Sequence, residues 1–100
     1  MAMSEPSNSS GELAVGTTAV CGVPGFVTSV SLAPAAADCS VKVYDNKSAA
    51  SGTIVAEITL KANTGSVQYT FNSPIVCNAG ITAVVAGTGA IAHVTFQRSS

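Results

Sequence analysis

Charged side chains are scarce in this sequence. They make up 9% of its 100 residues, whereas an average soluble domain carries roughly 25%. The basic residues are Lys42, Lys47, Lys61 and Arg98, and the formal net charge is -1. So few cations cannot neutralise a run of phosphates or hold the protein on anionic lipid. We therefore expect neither nucleic acid nor a membrane surface as a partner.

Tryptophan is absent, aromatic residues are only 5% of the chain, and leucine occurs only at positions 13, 32 and 60. Apolar residues nevertheless reach 47%. Alanine and valine supply most of them, and serine and threonine are also abundant. Small and β-branched side chains disfavour helix and favour strand. This length and composition predict one small all-β domain.

Two long runs without charge, at positions 13–37 and 62–92, have the length of membrane spans. Glycine, proline and polar residues interrupt both, so we interpret them as strands joined by turns. The first dozen residues have neither the basic start nor the apolar stretch of a secretory signal. We expect residues 1–12 to form a flexible N-terminal arm and residues 13–100 to form a single domain.

Cysteine is rare and odd in number, at Cys21, Cys39 and Cys77. We expect reduced thiols in a protein made in a cytoplasm, because any single bridge leaves one cysteine over. With His93 the three would complete a zinc ligand set, but they come from separate segments without a tight knuckle, so we expect no metal. Buried free thiols are favoured. A bridge from Cys21 or Cys77 to another subunit is the alternative.

Short β-rich runs alternate with turn signals at a spacing typical of sandwiches and barrels. The predicted strands are 13–21, 26–33, 39–45, 54–61, 66–71, 75–77, 80–86 and 90–97. Alternate side chains of a strand point to opposite faces. The sets predicted to face inward are Cys39, Val41 and Val43; Ile54, Ala56, Ile58 and Leu60; Val67, Tyr69 and Phe71; and Ala92, Val94 and Phe96. We predict an all-β fold, an antiparallel two-sheet β-sandwich, jelly-roll-like or immunoglobulin-like, of about eight short strands.

Turn residues divide these strands. Asn63-Thr64-Gly65 and Gly87-Thr88-Gly89 predict short hairpins, because they supply residues that tolerate positive φ. The polar stretch 45–53 suits an exposed hairpin tip. Pro74 cannot donate to a central ladder, so it is expected to separate 66–71 from an edge piece at 75–77. Core packing is expected for most of the aromatic residues, which are Phe26, Tyr44, Tyr69, Phe71 and Phe96.

Residues suited to catalysis are few. His93 is the one histidine, and its phase between Ala92 and Val94 places it on the outer face, where a lone histidine is usually solvated. The acids are Glu5, Glu12, Asp38, Asp45 and Glu57, and no pattern pairs two of them. A Gly-x-Ser-x-Gly elbow is absent from the sequence. We predict no catalytic, cofactor-binding or metal-binding residue, no cofactor and no enzymatic activity.

Association is the better functional hypothesis. A small sandwich with so few charges must leave alanine, serine, threonine and valine on its surface. Val55, Val84 and Ile91 are apolar and fall in the phase predicted to be exposed. Either both faces of these strands are buried in the fold, or a neighbouring subunit covers one of them. We expect a homo-oligomer, with a trimer as the working assumption.

Four segments together resemble small β-rich structural proteins of tailed bacteriophages and prophages. They are residues 41–58, 74–81, 87–90 and 92–96, and the resemblance spans roughly 26–97. The most distinctive part is the hairpin Tyr-Asp-Asn-Lys-Ser-Ala-Ala-Ser-Gly-Thr, from Tyr44 to Thr53. Turn chemistry alone also explains that stretch.

The resemblance implies a virion component made in the host bacterial cytoplasm, with a major capsid or tail protein as partner. The expected role is a capsid decoration or cement protein that binds the outer shell as an oligomer. A tail or fibre accessory protein is the first alternative. The second is a carbohydrate- or receptor-binding β-sandwich, which would place Tyr44 or His93 beside Asp45 in a loop-lined pocket. The resemblance carries over no functional residues.

Overall fold

The computed structural model describes residues 8–98, apart from the side chains of residues 8 and 72–74. Within this range the chain forms strands and no helix. The strands are β1 (Asn8–Ser9), β2 (Gly16–Cys21), β3 (Gly25–Ala33), β4 (Cys39–Asp45), β5 (Ile54–Leu60), β6 (Val67–Cys77), β7 (Ile81–Ala86) and β8 (Ile91–Arg98). A search of the described residues finds no helix with the length and apolarity of a membrane span.

Two four-stranded antiparallel sheets pack together, which confirms the predicted β-sandwich. Sheet A has the order β1-β8-β3-β6 and sheet B the order β2-β7-β4-β5. β1 pairs with β8, β2 with β7, β3 with β6 and β4 with β5. An antiparallel ribbon rolled into two layers gives this nested pairing. Of the two expected arrangements, the structure therefore has the jelly roll.

The core lies between the sheets, and valine is the commonest residue in it. Its rows follow the register: Val94, Val30 and Tyr69 form one row across sheet A, and Val85, Val41 and Ile58 form one across sheet B. Valine fits here because a branched side chain packs well on a pleated surface. The inward sets predicted for β4 and β8 are confirmed: Cys39, Val41 and Val43, and Ala92, Val94 and Phe96, are all buried.

The predicted hairpins at 63–65 and 87–89 are wrong in one respect. Both segments do turn: Asn63 has a φ of 60°, and Ala90 donates its N–H to the carbonyl of Gly87 at 3.0 Å. However, β5 and β6 belong to different sheets, and so do β7 and β8. These turns carry the chain from one layer to the other. The hairpin at 45–53 is confirmed, since it joins the paired strands β4 and β5.

The predicted pieces 66–71 and 75–77 form one strand, β6. Its pairing with β3 jumps from Thr70, opposite Ser29, to Ile75, opposite Val27. Pro74 falls within this irregularity, where no regular ladder hydrogen bond is required of it. The predicted edge position is confirmed, because β6 is an outer strand of sheet A. The strand therefore continues through Pro74, with an irregular register at this point.

The predicted strand at 13–21 begins later, at Gly16, and the residues before it lie along the opposite sheet. Ser10 donates its N–H to Val94, and Leu13 and Ala92 exchange backbone hydrogen bonds of 2.8 and 2.9 Å. The Leu13 side chain is buried. Of the predicted arm at 1–12, residues 1–7 lie outside the described range, whereas residues 8–10 follow β8.

Most aromatic side chains are not in the core, contrary to prediction. Phe96 is buried, Phe26, Tyr44 and Phe71 are half-buried, and Tyr69 is exposed. Most of the buried apolar side chains are valine, alanine and cysteine.

Candidate functional site

The groups suited to catalysis are spread over the molecule. His93 is exposed on the outer face of sheet A, opposite Ser31 in the register, as its phase predicts. Glu57 is exposed on β5 opposite Lys42. Asp38 lies before β4, where its carboxylate accepts the N–H of Ala62 and is 3.7 Å from Lys61. In the range 8–98 no three of the His, Cys, Asp and Glu side chains group closely enough to hold a metal ion.

The cysteines are free and buried. Burial raises the pKa of the Cys77 thiol to about 11, and the nearby carboxylate of Asp45 and thiol of Cys21 add to this. Burial and the charge of Asp38 likewise raise the pKa of Cys39. A raised pKa keeps a thiol protonated and unreactive. Cys77 is 0% exposed and Cys21 is 5% exposed, so a bridge from either thiol to another subunit would require the residues around it to move.

Asp45 and Asn46 organise the β4–β5 hairpin. The Asp45 carboxylate accepts the N–H of Ala79 at 2.8 Å, and the backbone hydrogen bonds at this turn hold its pKa below the ordinary value against the opposing effect of burial. The Asn46 side chain accepts the N–H groups of Ser48 and Ala49 at 2.9 and 2.8 Å, and its amide donates to Ser51. The Asn46 side chain, in the distinctive stretch 44–53, therefore forms its hydrogen bonds within the same loop.

The sugar-binding alternative requires a pocket that holds Tyr44 or His93 beside Asp45, and Tyr44 does directly precede Asp45 on β4. Tyr44 lies on sheet B, next to the buried Val43, while His93 lies on the outer face of sheet A. A cavity of about 290 Å³ opens elsewhere, between the ends of β2 and β8. It is lined by Val20, Cys21, Gly22, Val23, Phe96 and Arg98. Tyr44, His93 and Asp45 are not among these lining residues.

The side of the sandwich formed by β5 and β6 leaves core-facing residues uncovered. Tyr69 stands in the row of Val30 and Val94, both of which are 0% exposed, yet Tyr69 itself is 50% exposed. Its side chain therefore points to the core face of sheet A. Across the core, β5 packs against β3. Since β6 is one strand further out than β3, the opposite sheet covers it only in part.

Further apolar side chains on β5 and β6 are incompletely buried. Val67, Phe71 and Ile75 of β6 and Ala56 and Leu60 of β5 are only partly buried against the core. Ile54, at the start of β5, is 43% exposed. In the described residues both strands are sheet edges, with backbone groups that no neighbouring strand pairs. We call this surface the open side, and define it by β5 and β6.

Sequence reasoning did not find the open side. Val55, Val84 and Ile91, predicted to be exposed, are half-buried. The large apolar side chains that are exposed are Val15, Val23, Ile54, Tyr69 and Val76. Tyr69 and Ile54 have the inward phase, and the phase is right for Tyr69. A signal was present in the length of β6, whose 11 residues include no charge. Natural sheet edges usually carry lysine or another charged residue.

Comparisons of the chain with protein-family models, with curated proteins and with solved structures give no match.

Proposed function

We propose that this protein is a non-enzymatic structural component of a bacteriophage virion, a capsid decoration protein that binds the outer shell as an oligomer. It is made in the host bacterial cytoplasm and becomes part of the particle there. A major capsid protein is its partner on the shell.

The open side is the observation that carries the proposal. It combines exposed core-facing apolar groups, such as Tyr69 at 50%, with two sheet edges that no described strand covers. Such surfaces favour contact with another protein. The exposed charges near it are few: Glu57 on β5, and Lys61 beside Asp38. A lattice subunit needs this kind of surface, because it meets its neighbours repeatedly and at close range.

The fold is compatible with the proposal but does not select it. Jelly rolls occur in viral capsid proteins and also in lectins, and a fold by itself does not define a function. The two uses make different demands on the molecule. A lectin needs polar and aromatic groups that converge in a pocket, and the cavity between β2 and β8 is not lined by Tyr44, Asp45 or His93. An assembly subunit needs exposed apolar groups or free sheet edges, and the open side has both.

Immunogold electron microscopy tests the role directly. Particles produced by the genome that encodes the chain are labelled with antibodies against the purified protein. We expect gold over the capsid heads at many positions on each particle. Gold confined to tails or fibres would replace the decoration role with the tail alternative. Purified particles without gold, in which mass spectrometry also fails to find the chain, would contradict the proposal.

A further inference from the structure

We infer that two copies of this chain associate through β6, each adding its edge strand antiparallel to that of the other, so that sheet A continues across the pair. The inference deepens the proposed function: it rests on the same open side and identifies which strand joins the copies. It also replaces the assumed trimer with a two-fold contact.

The main chain of β6 is suited to this pairing. β3 is hydrogen-bonded to β8 on one side and to β6 on the other, which leaves the outer side of β6 unpaired in the described residues. Residues 67–70 keep a regular register with β3, from Val67 opposite Leu32 to Thr70 opposite Ser29. A regular edge is a template for another strand. The irregularity at Pro74 confines the contact to this first part of β6.

The absence of charged residues from β6 makes a second copy of the chain a suitable partner for this edge. In a two-fold antiparallel pair each strand faces its own sequence, so any charged residue near the axis meets a like charge. β6 contains none over its 11 residues. β5 is different, since Glu57 and Lys61 are exposed on it or directly after it. β2 is also uncharged, but its exposed residues are only glycine, threonine and alanine.

Pairing also covers the apolar groups of the open side. Tyr69 lies within residues 67–70, and its ring is half exposed next to Val67 and Phe71. Bringing two copies together along this segment places each Tyr69 beside the apolar core face of the other β6. Aromatic side chains contribute strongly at protein interfaces, because they bury a large area with few rotatable bonds.

A matched set of variants tests the inference. Thr70→Lys places a positive charge on the proposed contact strand. Thr17→Lys on β2 and Thr59→Lys on β5 make the same change at other exposed edge threonines. The mass of each full-length protein is measured by sedimentation velocity over a range of concentration, and circular dichroism checks the fold. Gln68→Lys serves as a second contact variant in case Thr70→Lys does not fold.

We expect the unmodified chain and the two control variants to form dimers, while Thr70→Lys raises the dimer dissociation constant by at least about tenfold through like-charge repulsion. A chain that stays monomeric throughout, or that forms trimers, overturns the inference. So does a Thr70→Lys dimer as tight as the controls. The proposed function can fail while the inference holds. If the dimer depends on Thr70 but the protein is missing from the particles, the virion role is refuted and the β6 contact stands.

Discussion

The backbone N–H of Ala79 donates a hydrogen bond of 2.8 Å to the carboxylate of Asp45, joining segments 34 residues apart in the chain. Asp45 ends β4, and Ala79 lies in the turn from β6 to β7. The bond therefore connects the end of β4 in sheet B to the turn that leads from β6 in sheet A to β7 in sheet B. Gly80, next to Ala79, lets this turn pass close to Cys21 and Lys47, because a Cβ there would lie 2.6 Å from the Cys21 carbonyl oxygen and from Lys47 Cα.

Replacing this carboxylate is expected to weaken the fold. Asp45→Asn removes the charge that strengthens the bond from Ala79, and hydrogen bonds to charged groups contribute about 1.5–3 kcal/mol. We expect the free energy of unfolding in urea at pH 7 to fall by about 1–2 kcal/mol. The control is Glu57→Gln, the same chemical change at an exposed acid. Equal stability of Asp45→Asn and the unmodified protein would show that the bond contributes nothing.

The carboxylate of Asp45 should also make the stability of the fold depend on pH in acid. Its pKa in the folded protein lies below the ordinary value of 3.8, so between these two pKa values the unfolded chain binds more protons. The stabilisation is complete above pH 3.8 and is lost as the pH falls through the lowered pKa of the folded state. Urea unfolding at a series of acidic pH values should therefore show a shallower decline for Asp45→Asn. Parallel curves for the two proteins would contradict this.

At alkaline pH, ionisation of the buried Cys77 thiol should account for most of the difference in stability between Cys77→Ala and the unmodified protein. Its pKa is raised from 9.0 to about 11, so its contribution to stability is complete below pH 9 and is lost as the pH rises towards 11. Two pKa units correspond to about 2–3 kcal/mol. Cys77→Ala should lose that much less stability between pH 8 and pH 11. Identical losses in both proteins would rule out this assignment.

Leu13 should anchor the N-terminal segment. Its side chain is 6% exposed and its backbone pairs with Ala92. Leu13→Ala leaves a cavity, for which about 2–5 kcal/mol is typical, so thermal unfolding should shift clearly downward. Val15→Ala is the matched control, since Val15 is exposed and its truncation should change stability by about 0.5 kcal/mol or less. Similar shifts for the two variants would mean that Leu13 is not part of the core.

Local patterns predicted the layers of this fold but not its open side. Alternation identifies the inward residues of β4, because Val41 and Val43 are neighbours on one strand and the pattern is local. It also gives Tyr69 its correct face. Whether that face is covered depends on the order of strands in both sheets, which joins residues far apart in sequence. The turn at 87–89 shows the same limit: its glycines specify a reversal, but not the sheet that the chain enters next.

Hydrogen–deuterium exchange, measured at low and high protein concentration, tests most directly whether the open side is an association surface. We predict that a peptide covering residues 67–77 exchanges more slowly as the concentration rises, because its edge amides become bonded to a second copy. A peptide covering β2, at residues 16–21, should exchange at the same rate throughout. Exchange in β6 that does not depend on concentration, or protection that develops in β2 instead, would contradict this account.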